Sequence, residues 1–439
     1  MGLSKKTKLI VSLALTISLT SVLTIGCNNG VSQSNNNKTQ EASNDSTLIY
    51  TQGIEQTTIY GKVKGSKENN EKTLLWQGIP YAKAPISNLR WKAPEDPEIW
   101  NNVFDATTPG NVGIQLSGSD IIGSEDCLNL DIYRPNTDET NLPVLLFIHG
   151  GNNQTGTSSE IDARKLAVNA NCIVVSINYR LGALGFNSLP ALKTGDINED
   201  SGNYTLLDIA KSLDWINENI EAFGGNPNNI TASGFSAGGR DIMAMLISPI
   251  FEGKFQKAIA FSGGMTISDP EESAQIIAKA IAPLVIEDNV KETEEDAYNW
   301  LLTDDTEVKD YLYSLFLTDT VTGFGASYPE AFNNEDAKDL SNKFTKYISN
   351  FLWNDNPNGE DLVEWNSWTS SSDGPTQLLL DADLNKAIIT MSHERTSYES
   401  ILNEIENDHS ITDEDKNTIV KEVLNGRWFS SRLDSYFNN

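Results

Sequence analysis

Gly234-Phe235-Ser236-Ala237-Gly238 sets a serine between two glycines, each two residues away. That spacing suits a nucleophile. A serine that attacks a carbonyl must sit on a cramped strand-to-helix turn that pushes Oγ out above a sheet, so the flanking positions two before and two after it must lack a side chain. The amide of Ala237, opening the helix, would then point at a developing oxyanion with the helix dipole behind it. The alternative at this level is a glycine-rich turn with no chemistry, and the elements around it decide between the two.

Those elements are in place. Residues 230–233 form a short strand ending in small side chains, and after Gly239 the chain enters an apolar helical run at 242–246. Upstream, 128–133 alternates as a strand, while 143–148 and 172–177 are continuous apolar strands of the buried kind. Residues 206–220 have apolar positions at helical spacing and stop at Phe223-Gly224-Gly225-Asn226-Pro227. Strands alternating with helices at this rhythm predict an α/β fold with a mostly parallel, doubly wound sheet. Thr57-Thr58-Ile59-Tyr60-Gly61 and Thr73-Leu74-Leu75-Trp76 suggest an N-terminal β-hairpin. Beyond Gly264 the chain is mostly helical: 272–302, 337–352, 392–406 and 412–424, the last capped by Thr412, with a strand expected over 308–317 and a loop over 318–329.

With 439 residues the chain can bury a large core, and its 61 acids against 32 bases give a formal net charge of -29. Such a surface repels phosphate backbones and anionic lipid, which argues against a nucleic-acid partner. Residues 1–27 have the pattern of an export signal: Lys5, Lys6 and Lys8, then an uncharged, mostly apolar run over 9–25, then Gly26-Cys27. A small residue before Cys suggests a lipoprotein signal with Cys27 as the lipidated first residue, although Thr24 stands where Leu is usual; a transmembrane anchor is the alternative. Residues 28–47 are too polar to fold and would be a flexible tether, leaving 48–439 as a single catalytic body outside the cytoplasm, at the cell surface or periplasm or secreted. Contact with a membrane would be through the N-terminus alone. Cys127 and Cys172 remain; they imply neither a disulfide nor a metal site.

A set of motifs in fixed order resembles the type-B carboxylesterases, the α/β-hydrolases that include cholinesterases, para-nitrobenzyl esterases and the inactive neuroligins. The motifs are Gly78-Ile79-Pro80-Tyr81-Ala82 with Leu89-Arg90, Ser124-Glu125-Asp126-Cys127-Leu128-Asn129-Leu130, His149-Gly150-Gly151, Asn178-Tyr179-Arg180-Leu181-Gly182, Gly202-Asn203 with Leu207-Asp208, Phe223 to Pro227, and the Ser236 turn. They span residues 59–264, and Asn350-Phe351, Asn356-Pro357-Asn358 and Trp365 resemble the family's C-terminal part. The resemblance implies Ser236 as the acyl-accepting nucleophile of a carboxylic ester hydrolase, an oxyanion hole from the amides of Gly151, Asn152 and Ala237, and His149 as a shaper of the oxyanion loop. A small-molecule ester would be the substrate, and serine acyl transfer calls for no metal or organic cofactor.

The chain also departs from the family pattern. Asn152 replaces a third glycine, Phe235 replaces a glutamate, and Gly113 stands near where the half-cystine partner of Cys127 is expected, which leaves Cys127 free. Between Ser236 and the C-terminus there is nothing like the acid-bearing G-x-x-x-D-E-G, and Gly325-Ala326-Ser327-Tyr328-Pro329-Glu330 has no histidine where one is expected. The chain has three histidines, and of these His393 and His409 follow Ser236 as the Ser, acid, His order demands. Each is a candidate base, though it lies in or beside a polar helix where a solvated histidine is the default. A core strand, the acid and much of a substrate lid look deleted between 303 and 311, so 311–317 should pair with 257–261 or leave that sheet edge open. A catalytically impaired scaffold is therefore the alternative function.

Overall fold

The computed structural model describes residues 48–419 apart from 69, 118–119, 265–267, 316–334, 368, 370–373, 383–386 and 394–397. The expected leader with Cys27, the tether, the loop over 318–329 and the motif at 325–330 lie outside the described residues. No helix among the described residues is long and apolar enough to cross a membrane.

Fourteen strands enter the account. β1 (Glu55–Thr58), β2 (Gly61–Lys64) and β5 (Phe104–Asp105) make a small sheet, β6 (Gln115–Ser117) and β7 (Asp120–Ile122) a ribbon. The central sheet has the order β12-β11-β9-β10-β8-β4-β3, from β3 (Ser66–Glu68), β4 (Thr73–Pro80), β8 (Asn129–Pro135), β9 (Leu142–Ile148), β10 (Ile173–Ile177), β11 (Gly225–Phe235) and β12 (Lys257–Phe261). β13 (Gln377–Ala382) and β14 (Ala387–Ser392) pair separately. β12, β11, β9 and β10 run parallel; β10, β8, β4 and β3 are joined antiparallel. The sheet is thus parallel only on the side that carries Ser236.

Every residue of β8, β9 and β10 is buried, as strands covered on both faces must be. One face is covered by α1 (Ala163–Ala170) and α7 (Glu335–Asn354), whose Ala167, Ile348 and Leu352 pack with Leu145 and Val174. The other face packs Ile209, Leu213 and Ile216 of α2 (Tyr204–Asn219) and Ile242 and Met245 of α3 (Ala237–Met245) against Val144, Leu146 and Val175. Helices on both faces fit the doubly wound expectation. β12 is the last strand of the sheet; Lys257 on it reaches the C-terminus of α7, donating to Leu352 O at 2.7 Å and pairing with Asp355.

Two local expectations need correction. The N-terminal hairpin is β1 with β2, turning at Ile59-Tyr60, where the Thr58 hydroxyl donates to Gly61 O; Thr73 to Trp76 begins β4, which pairs with β3 and β8 in the central sheet. The strand expected over 308–317 is instead α6 (Thr306–Ser314), which follows α4 (Pro270–Glu287) and α5 (Glu294–Leu301). Asp305 caps α6 by accepting from Glu307 N, and Val308 and Leu312, four apart, are both buried against the α4 and α5 side chains. Helical spacing and a cap outweigh the β preference of Tyr311-Leu312-Tyr313. With α6 a helix, the outer edge of β12 carries no strand among the described residues, the second outcome expected above.

At the C-terminal end, the helix expected over 392–406 is α8 (Tyr398–Asn407), and Ser392 ends β14. The β13–β14 hairpin was not foreseen. Thr412 caps α9 (Asp413–Thr418) in a reciprocal box with Asp415.

Candidate active site

Ser236 joins β11 to α3 with φ 54° and ψ -112°, a backbone that an L-residue enters at a cost. The corner exists because strand and helix touch. A Cβ on Gly234 would lie 2.3 Å from Gly238 O, and one on Gly238 would lie 2.2 Å from Ile148 O, so both positions exclude any side chain. Ser236 N donates to Phe261 O at 2.8 Å, tying the corner to the end of β12, and Arg240 N donates back to Ser236 O.

The loop after β9 reaches this corner. A Cβ on Gly150 would stand 3.2 Å from Ser236 Cβ and 3.0 Å from Phe235 O. Gly151 and Asn152 follow at φ 86° and 59°, so Asn152 takes the left-handed conformation that the glycine it replaces would take freely. Among the described residues neither amide has an acceptor. Ala237 is fully buried and, as the first residue of α3, carries one of the N–H groups a helix cannot satisfy itself. Gly150 therefore packs on the Ser236 corner, Gly151 and Asn152 are the next two residues of the same loop, and Ala237 is the next residue of the chain after the serine.

His149 lies beneath the loop at 1 % exposure. It stacks on Tyr179 with ring centroids 4.2 Å apart; its Nδ1 is 3.0 Å from Gly150 O, and the Tyr179 hydroxyl donates to His149 O at 2.7 Å. Burial holds its pKa down to about 4, so it stays neutral and shapes the loop. Glu160 accepts from Gly150 N at 2.8 Å, and burial raises its carboxyl.

Among the described residues no base meets the serine: the Ser236 hydroxyl has no hydrogen-bond partner there, and His393, just past β14, and His409, past α8, are both exposed. Phe235, which replaces the glutamate of the family pattern, flanks the corner at 44 % exposure.

The remaining motif residues build the frame. Arg180 pairs with Asp208 through two bonds of 2.9 and 2.6 Å, both side chains fully buried. Arg90 grips Glu125 and also donates to Tyr313 O and Leu315 O, closing the C-terminus of α6. Cys127 and Cys172 are free and buried. The sequence reasoning missed Asn153, Arg240 and Asp241: Arg240 Nη2 donates to Asn152 Oδ1 at 2.7 Å, and Asn153 Nδ2 to Asp241 Oδ1 at 3.0 Å. The available signal was an Arg-Asp pair in the opening turns of an otherwise apolar helix.

Comparison with known proteins places these features. The model of the carboxylesterase family matches residues 52–307. A para-nitrobenzyl esterase of Bacillus subtilis is 45% identical over 242 residues, covering 52% of this chain and 48% of that protein. A human cocaine esterase is 39% identical over 260 residues, covering 54% and 45%. A solved thermophilic PNB esterase aligns with a TM-score of 0.50 at 29% identity over 88% of this chain and 74% of its own. The chain spans about half the length of the curated relatives it matches.

Proposed function

Because this chain belongs to the carboxylesterase family, with its α/β-hydrolase fold, we propose that it hydrolyses small carboxylic esters through Ser236. The observation that carries this reading is the strained Ser236 corner with Gly150 of the loop after β9 packed against it. Ser236 Oγ attacks the ester carbonyl carbon, the carbonyl oxygen takes the negative charge, and the amides of Gly151, Asn152 and Ala237 receive it. Collapse expels the alcohol and leaves an acyl-serine; water then attacks the same carbon and releases the acid. The proton leaving Ser236 goes to water unless the chain brings His393 or His409 to the serine, which the histidine variants below decide. Phe235 gives the mouth of the site an apolar wall, which favours esters with a hydrocarbon group beside the carbonyl.

The unpartnered Ser236 hydroxyl supports a second reading, an impaired scaffold in which turnover is slow or absent. Hydrolysis of p-nitrophenyl butyrate by residues 48–439 separates the two. Turnover that drops to background in Ser236→Ala and in one of His393→Ala or His409→Ala supports the esterase; wild-type turnover equal to that of Ser236→Ala sinks it. The N-terminal pattern supports export and anchoring through a lipid on Cys27, which metabolic labelling with a radioactive fatty acid would show in the full chain and lose in Cys27→Ala.

A further inference from the structure

We propose that Arg240 and Asp241 are positioning residues that clasp the oxyanion loop to the helix opened by the nucleophile. This rests on the esterase reading only for its kinetic consequence. Two consecutive residues of α3 bind two consecutive residues of the loop: Arg240 Nη2 donates to Asn152 Oδ1 at 2.7 Å, and Asp241 Oδ1 accepts from Asn153 Nδ2 at 3.0 Å.

The loop needs such a restraint. Asn152 and Asn153 both hold left-handed backbones, φ 59° and 56°, a conformation that costs each of them free energy and persists only where neighbours enforce it. The end of β9 and the start of the loop already rest on α3, since Ile148 O and His149 O would lie 2.2 and 2.7 Å from a Gly238 Cβ. That contact sets the distance of the loop from the helix, and Asn153 is also tied on its other side, its O accepting from Gly182 N at 2.7 Å and its Oδ1 from the Tyr179 hydroxyl at 3.4 Å. The two side-chain bonds to α3 add the restraint that neither of these gives, holding the Asn152 side chain and the Asn153 amide group to the helix and, through them, the aim of the Gly151 and Asn152 amides.

Asp241 is an expensive choice for a purely structural role. It is 4 % exposed, and its Oδ2 has no hydrogen-bond partner among the described residues. An apolar residue at this point of α3 would pack at lower cost. What the carboxyl supplies in return is the acceptor for Asn153. Arg240, more exposed, supplies the donor for Asn152. Neither residue touches the reacting atoms; both act through the loop.

The test uses residues 48–439 and four variants: Asp241→Ala, Asp241→Asn, Asn153→Ala and Arg240→Ala. Amide exchange by mass spectrometry is followed at Gln154 and Thr155, whose N–H groups both donate to Gly151 O and so report the closed loop. Exchange there should rise at least about tenfold in Asp241→Ala and Asn153→Ala, and stay within about twofold in Asp241→Asn, which keeps the acceptor. In ester hydrolysis kcat should fall about 10- to 100-fold in the same two variants with KM changed by less than about threefold, because misaimed amides are missed only in the transition state. Arg240→Ala, at a more exposed position, keeps the test alive if Asp241→Ala does not fold, and should loosen the loop in the same direction. Unchanged exchange in Asn153→Ala and Arg240→Ala overturns the clasp. Absence of Ser236-dependent turnover in the wild type overturns the esterase reading and leaves exchange to decide the clasp alone.

Discussion

Asp241 carries its own test at the scale of a single residue. Burial raises its pKa from 3.8 to about 7, with Asn153 and Arg240 opposing the shift and Tyr179 the other titratable group facing it. Between those two values the folded chain holds a proton that the unfolded chain has lost, so folding stability falls as pH rises from about 4 through 7. Asp241→Asn has no such proton to lose. Its melting temperature should therefore gain on the wild type by several degrees between about pH 5 and pH 8, a differential scan that would show parallel curves if Asp241 were ordinarily solvated. Ser236 and its glycines were legible in the sequence because a missing side chain two positions either side has a steric cause confined to five residues. Asp241 was not, because its partner lies 88 residues away and no local pattern encodes that meeting. His149 shows the intermediate case: the family resemblance pointed to it as a shaper of the loop, and its burial against Tyr179 is the physical cause.

Elements obey the same division between local and distant causes. β8, β9, β10, β11, α2 and α3 were all foreseen, since continuous apolar runs and 3.6-residue spacing are written in consecutive residues. α6 was foreseen as a strand because Tyr311-Leu312-Tyr313 favours strands, while its helix depends on the Asp305 cap and on packing against α4 and α5. The β13–β14 hairpin escaped for a related reason: 377–380 and 388–391 are half-exposed or exposed, and Leu378-Leu379-Leu380 and Ile388-Ile389 are consecutive apolar residues with no polar alternation in the sequence. The junction of β11 and α3 yields the prediction at this scale. Gly238→Ala puts a methyl 2.2 Å from a main-chain oxygen of β9 that cannot swing away. A loss of about 3 kcal/mol or more in urea unfolding is expected, against about 1–2 kcal/mol for alanine at Gly253, whose Cβ meets nothing and whose cost is that of its φ of 76° alone.

For the molecule as a whole, the sheet ends abruptly at β12. Its outer backbone groups have no neighbouring strand among the described residues, and Ala260 on it is exposed. Such a margin is a template on which another copy can lay its own β12, and growth by repetition follows once a few copies have met. The charge of -29 keeps them from meeting while its field reaches about 10 Å, as it does near 0.1 M salt. In molar salt the reach shrinks to about 3 Å, and seeded, thioflavin-positive assembly should appear after a lag; Ala260→Lys should suppress it at equal salt, and assembly indifferent to both salt and that lysine would assign it to some other surface. The acid excess, whose plain reading is solubility, would then be what keeps an unfinished sheet in solution.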